Sequence, residues 1–149
     1  MMRFFWLGLL LFSASAVADE ELTNTRAFDQ AYAASFYQFD ACGDWLTGRA
    51  YREALTAKVR QCPFSADAKS RYQARSAAQR RKSSEAIAKL IDDNGGLPMR
   101  LEGMTRTCRE QIESPDYQAL RGKLEAVSAG TSGVDAVVPQ PCDAAEITP

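Results

Sequence analysis

The chain is expected to fold as an all-α bundle of about five helices, stapled by two disulfides and followed by an extended C-terminal arm. Three observations predict this. Apolar residues recur at steps of three and four along nearly all of the chain after residue 24, the period of one helix face. No alternating stretch long enough for a strand occurs. Four cysteines, Cys42, Cys62, Cys108 and Cys142, are scattered along a 149-residue chain behind an export-type leader.

The leader comes first. Arg3 gives a positive start, Phe4–Phe12 is an apolar run, and Ala16-Val17-Ala18 fits a small-residue cleavage site before Asp19-Glu20-Glu21. That order is the layout of a secretory signal peptide, with cleavage expected after Ala18. The run is shorter than the ~20 residues that span a bilayer, so no transmembrane segment is expected. No cysteine stands at the cleavage site to carry a lipid anchor. Residues 19–130 are read as the helical domain and 131–149 as the arm, in a soluble periplasmic or secreted protein.

Asn24 or Thr25 caps a first helix running to about Asp40, with Phe28, Ala31, Tyr32, Ser35, Phe36 and Phe39 on one face. Residues 41–45 read as its end or a turn. Thr47 is expected to cap a second helix, Gly48 to about Gln61, whose line is Tyr51, Ala54, Leu55, Lys58, Val59 and Cys62, and Pro63 stops it. Ser65 caps a long third helix to about Asp92. Its apolar line is thin in the middle (Tyr72, Ala78) and stronger at Ala86, Ile87, Leu90 and Ile91, and Asn94-Gly95-Gly96 ends it. A fourth helix from about Pro98 to Ile112 carries Leu101, Met104, Cys108 and Ile112 in line. Ser114-Pro115-Asp116 opens a fifth: a cap, a proline at the first helical position and an acid at the positive end of the dipole. It buries Tyr117, Leu120, Leu124 and Val127 and ends near Ala129. From Gly130 the chain is rich in proline, glycine and small residues.

An even cysteine count in an exported chain reads as a disulfide framework. Three pairings are possible. Cys42 and Cys62 sit at opposite ends of the second helix, roughly 20–30 Å apart at ~1.5 Å per residue, against a limit of about 7 Å between bridged Cα atoms. With antiparallel neighbours, Cys42 and Cys108 fall at a similar level. The arm covers ~35–40 Å in about 12 residues, enough to bring Cys142 to Cys62. The favoured pairing is therefore Cys42–Cys108 with Cys62–Cys142. No C-x-x-C occurs, and the spacing does not suit zinc.

The chain contains no histidine. That removes Ser-His-Asp and Cys-His catalysis and histidine-ligated metals and haem. No catalytic residue, cofactor or metal site is assigned. Asp92-Asp93-Asn94-Gly95-Gly96 has some character of a calcium loop, but the twelfth position from Asp92 is Gly103 rather than Glu, so it reads as a helix end.

Charge is unevenly spread. After residue 18 there are 17 Lys and Arg against 19 Asp and Glu, yet residues 66–91 hold Lys69, Arg71, Arg75, Arg80, Arg81, Lys82 and Lys89 against Asp67 and Glu85. Arg71, Arg75 and Lys82 share one helix face and form the first candidate binding set; the Lys69–Lys89 region suits a polyanion, an anionic membrane surface or an acidic partner, or else is a solvated face repaid by the protein's own acids. Export and overall acidity count against nucleic acid. Trp45 and Arg49, beside Asp40 and Asp44, form the second candidate. Tyr32, Phe36 and Tyr37 read as core or as the lining of a groove. Glu102, Arg106 and Glu110, and Arg109 with Glu113, are spaced as surface pairs. The functional expectation is a non-enzymatic protein that binds another protein. The alternatives are a His-free hydrolase using a carboxylate pair among Asp40, Asp44, Glu102 and Glu110, and a small-ligand carrier with an apolar pocket between helices.

Overall fold

A computed structural model describes residues 22–93 and 102–149. Five α-helices follow one another: α1 (Arg26–Gln38), α2 (Trp45–Gln61), α3 (Ala66–Asp93), α4 (Glu102–Glu113) and α5 (Pro115–Ser128). Short 3-10 turns occupy Asp40–Cys42 and Val134–Ala136. The leader, the Asn94-Gly95-Gly96 stop, Leu101 and the start expected for the fourth helix lie outside the described residues. Among the described residues there is no strand, only an isolated parallel bridge between Leu22 and Phe64. There Leu22 N–H donates to Pro63 O (2.8 Å) and Ser65 N–H to Leu22 O (2.6 Å), tying the approach to α1 onto the α2–α3 connector.

The start of α2 corrects the sequence reading. Asp44 rather than Thr47 is the cap: its carboxylate accepts from the Thr47 backbone N–H (3.2 Å) and from the Thr47 hydroxyl (2.8 Å), so Thr47 lies inside the first turn and is buried. Gly43, at φ +80°, makes the left-handed step out of the 3-10 turn that lets the chain re-enter a helix two residues later. Ser65 and Ser114 cap as expected, accepting from Ala68 N–H (3.1 Å) and Tyr117 N–H (3.3 Å).

The core is aromatic and centres on α1 and α2. Phe28, Tyr32, Phe36 and Phe39 meet Tyr51, Ala54, Leu55 and Val59, with Phe64, Ala68 and Tyr72 closing one side and Tyr117, Leu124, Val137 and Val138 the other. Edge-to-face contacts join Phe28 to Phe64 (5.6 Å between centroids) and Tyr32 to Tyr72 (6.2 Å). Phe39 touches both Tyr51 and Tyr117, linking α1, α2 and α5. The arm is more than a tether, since Val138 is fully buried and Asp135 pairs with Lys58 of α2.

In α3 the inward line is Ala68, Tyr72, Ser76 and Ser83; Ala78 and Ala86, expected in that line, are exposed. At about 100° per residue, Tyr72 in the core turns Ala78 to the far side.

Both disulfides are those favoured by the helix arithmetic. Cys42–Cys108 spans a Cα separation of 5.3 Å and Cys62–Cys142 one of 5.5 Å. The first fastens α4 to the 3-10 turn, and the second fastens the arm beneath the end of α2. Cys62 is 1% exposed, whereas Cys42 and Cys108 are half-buried.

Two core phenols give a pH prediction. The Tyr51 and Tyr72 side chains are buried in the core, and burial pushes each phenol up to about 12 from 10.0. The unfolded chain ionises these groups near 10 while the folded one holds their protons, so the stability they contribute is intact below pH 10. It is lost as pH rises from 10 to about 12, by roughly 3 kcal/mol for each group. Absorbance at 295 nm is expected to show their ionisation coinciding with loss of helical ellipticity above pH 10. Ionisation of Tyr51 or Tyr72 near 10, read as the difference from a Tyr51→Phe/Tyr72→Phe variant, with the helix signal intact would contradict the assignment.

Candidate functional site

The end of the molecule where α1 passes into α2 gathers the most tightly organised polar contacts. Arg52, on α2, reaches back to Asp40 with two hydrogen bonds, Nη1 to Oδ1 and Nη2 to Oδ2, both 3.1 Å. Nη1 also donates to Ser35 Oγ (3.1 Å), and the guanidinium lies 4.1 Å from the Phe36 ring centroid. The Arg52 and Asp40 side chains are each 11% exposed. Burial pushes the Asp40 carboxyl above its ordinary value, outweighing the charge and hydrogen bonds of Arg52.

Gly48 makes this geometry possible. A Cβ there would stand 2.3 Å from Asp40 Oδ1 and 2.8 Å from Phe39 Cβ. Nearby, Asp44 accepts a third hydrogen bond, from the Tyr117 hydroxyl (2.9 Å), which couples α5 to the α2 cap. Burial opposes the Asp44 charge, but the hydrogen bonds from Thr47 and Tyr117 win, and its carboxyl lies below the ordinary value. Burial and the Asp44 carboxylate raise the Tyr117 phenol. Gln111 of α4 donates to Gln38 O (2.7 Å), and Cys42–Cys108 closes the junction from the same side.

Three large apolar side chains project from this scaffold. Tyr37, in the last turn of α1, is 80% exposed; Trp45 and Leu46, in the first turn of α2, are 57% and 82% exposed. A single exposed apolar residue needs no explanation. Here, however, all three flank one six-residue connector, and Trp45 is fixed in place: its Nε1–H donates to Asp40 O at 3.0 Å.

The sequence-predicted sets are brought together only in part. Arg49 does not join Asp40 and Asp44; it pairs with Glu53 one turn on (2.9 Å), both largely exposed. Arg71 pairs with Asp67 on its own helix. Arg75 crosses to α1, where Asp29 (2.8 and 3.1 Å) and the Thr25 hydroxyl (2.8 Å) hold it. Arg75 and Lys82 line a groove of about 310 Å³ with Asp29, Ser76, Ala78 and Gln79. Tyr32 and Phe36 are core, leaving Tyr37 outside.

Asp40 and Asp44 serve as an ion-pair partner and a helix cap, and Glu110 lies on an exposed face 4.0 Å from Arg106. The side chain of Glu102 lies outside the described residues. Among the described residues no three acidic or cysteine side chains gather as a metal site, and no helix is long and apolar enough to cross a membrane. No family model matches the chain, and no curated protein or solved structure matches it.

Arg52 and Leu46 were missed from sequence. Leu46 had a signal: with Thr47, Tyr51, Leu55 and Val59 inward, position 46 of α2 points outward. The Arg52–Asp40 pair had none, being 12 residues apart across a turn.

Proposed function

We propose that this is an exported, non-enzymatic binding protein that engages another protein at the α1–α2 end. The observation that carries the reading is Trp45, half-exposed yet held by its indole N–H to Asp40 O, with Leu46 and Tyr37 beside the same connector. Tryptophan and tyrosine dominate the energetics of protein interfaces because they bury much area at little conformational cost. The ion pair, the Asp44 cap and the Cys42–Cys108 bridge pre-organise the end, so a partner gives up little ordering entropy to bind. The carboxylates that a His-free hydrolase would draw on here, Asp40 and Asp44, already hold helices together.

The test is affinity capture from the envelope fraction of the exporting cell, with oxidised protein beginning at Asp19. A discrete partner is expected with the wild type, and the Trp45→Ala/Leu46→Ser variant should retain it at least roughly tenfold less well, as for loss of two interface anchors. Equal capture by the variant would refute the site. Absence of a partner together with turnover of a sugar or peptide would refute the class.

A further inference from the structure

We propose that residues 77–89, the outer half of α3, form a second docking element that inserts into an acidic groove of another protein. The cations of α3 divide sharply. On the inner half, Lys69 donates to Arg60 O (3.1 Å), Arg71 pairs with Asp67, and Arg75 is held by Asp29 and Thr25. Farther out, Lys89 pairs with Asp93 (2.6 Å). Arg80, Arg81 and Lys82, between them, make no ion pair or hydrogen bond among the described residues, and all three are exposed. Partners within the protein thus engage the cations at both ends of the basic helix, whereas the middle keeps three unpaired cations against one acid, Glu85.

Shape selects the partner class. Successive residues lie about 100° apart, so Arg80, Arg81 and Lys82 cover about 200° of the helix circumference. A flat anionic membrane meets one side of a helix, whereas a groove encloses several. Helices that lie in a bilayer surface also need bulky apolar residues opposite the charges. Here the exposed apolar positions are Ala77, Ala78, Ala86 and Ala88, and the half-buried Ile87 is the largest apolar side chain of the segment. Small side chains between cations admit close approach of groove walls, and the cations supply complementarity to carboxylates.

The experiment uses oxidised protein from Asp19 onward and fluorescein-labelled poly-L-glutamate as the acidic polypeptide, read by anisotropy, with hydrogen-exchange protection locating the contact. The variants are Arg80→Gln/Arg81→Gln/Lys82→Gln and the charge-matched control Arg26→Gln/Arg60→Gln/Lys123→Gln, all at exposed positions. The proposal expects salt-sensitive binding protected at 77–89, weakened roughly tenfold or more in the first variant and little in the control. It is overturned if both variants weaken equally, if no binding occurs, or if phosphatidylglycerol vesicles bind the protein while poly-L-glutamate does not.

Discussion

Replacing Asp40 by alanine is expected to destabilise the protein by about 3–5 kcal/mol, the cost of leaving a buried arginine without its counter-ion. Arg52 is 11% exposed and gives both Nη groups to Asp40, so without Asp40 its charge would stay largely out of water with no counter-ion. Gly48→Ala should act on the same cluster from below, because its Cβ would displace either the Asp40 carboxylate or the buried Phe39. The two effects share one contact and should not add. Chemical denaturation of D40A, G48A and D40A/G48A checks this. In D40A/R52M the lone charge is gone, and part of the loss should return. A D40A variant within about 0.5 kcal/mol of wild type, the range of ordinary surface changes, would show that the pair does not hold α1 to α2.

Loss of the Cys62–Cys142 bridge, in Cys62→Ser/Cys142→Ser, is the second large effect. Closing a loop with a sequence separation of 80 contributes about 4–5 kcal/mol in the chain-entropy description. The separation of 66 for Cys42–Cys108 gives nearly the same figure. The bridges differ in what they hold. Cys142 anchors an arm that buries Val134, Val137 and Val138 over α2 and α5, and Cys62 is itself a core residue. Cys108 belongs to a helix whose described side chains, apart from partly buried Ile112, lie largely outside the core. The Cys62/Cys142 variant should therefore melt at clearly lower temperature than Cys42→Ser/Cys108→Ser, and expose Tyr51 and Tyr72 to solvent. A lower melting point for the Cys42/Cys108 variant would place the weight on α4 instead.

The parts of the fold legible in the sequence are those set by local chemistry or by chain geometry. Ser65, Pro63 and Ser114-Pro115-Asp116 act on their own neighbours, and helix rise alone disfavours Cys42–Cys62. Parts decided by tertiary contact were not legible. Asp44 and Thr47 are both good caps, and Asp44 holds the place while also receiving the Tyr117 hydroxyl from 73 residues away. Arg49 stands close to Asp40 and Asp44 in sequence, yet Glu53 stands one turn further along the same helix and takes it. The face shared by Arg71, Arg75 and Lys82 is real as helix periodicity, but Asp29, 46 residues distant, removes Arg75 from it. Conversely, Trp45 and Tyr37 could be named in advance, whereas their exposure depended on the rotation that Phe39 and Thr47 impose on α1 and α2.

Site-specific photo-crosslinking tests the binding role of that end most directly. A benzoylphenylalanine placed at Leu46, which is 82% exposed, is introduced in the exporting cell, with the same residue at exposed Arg60 as control. One discrete adduct with another protein is expected from position 46, lost when Trp45 is replaced by alanine, and none from position 60. No adduct from 46, or the same products from both positions, would contradict it.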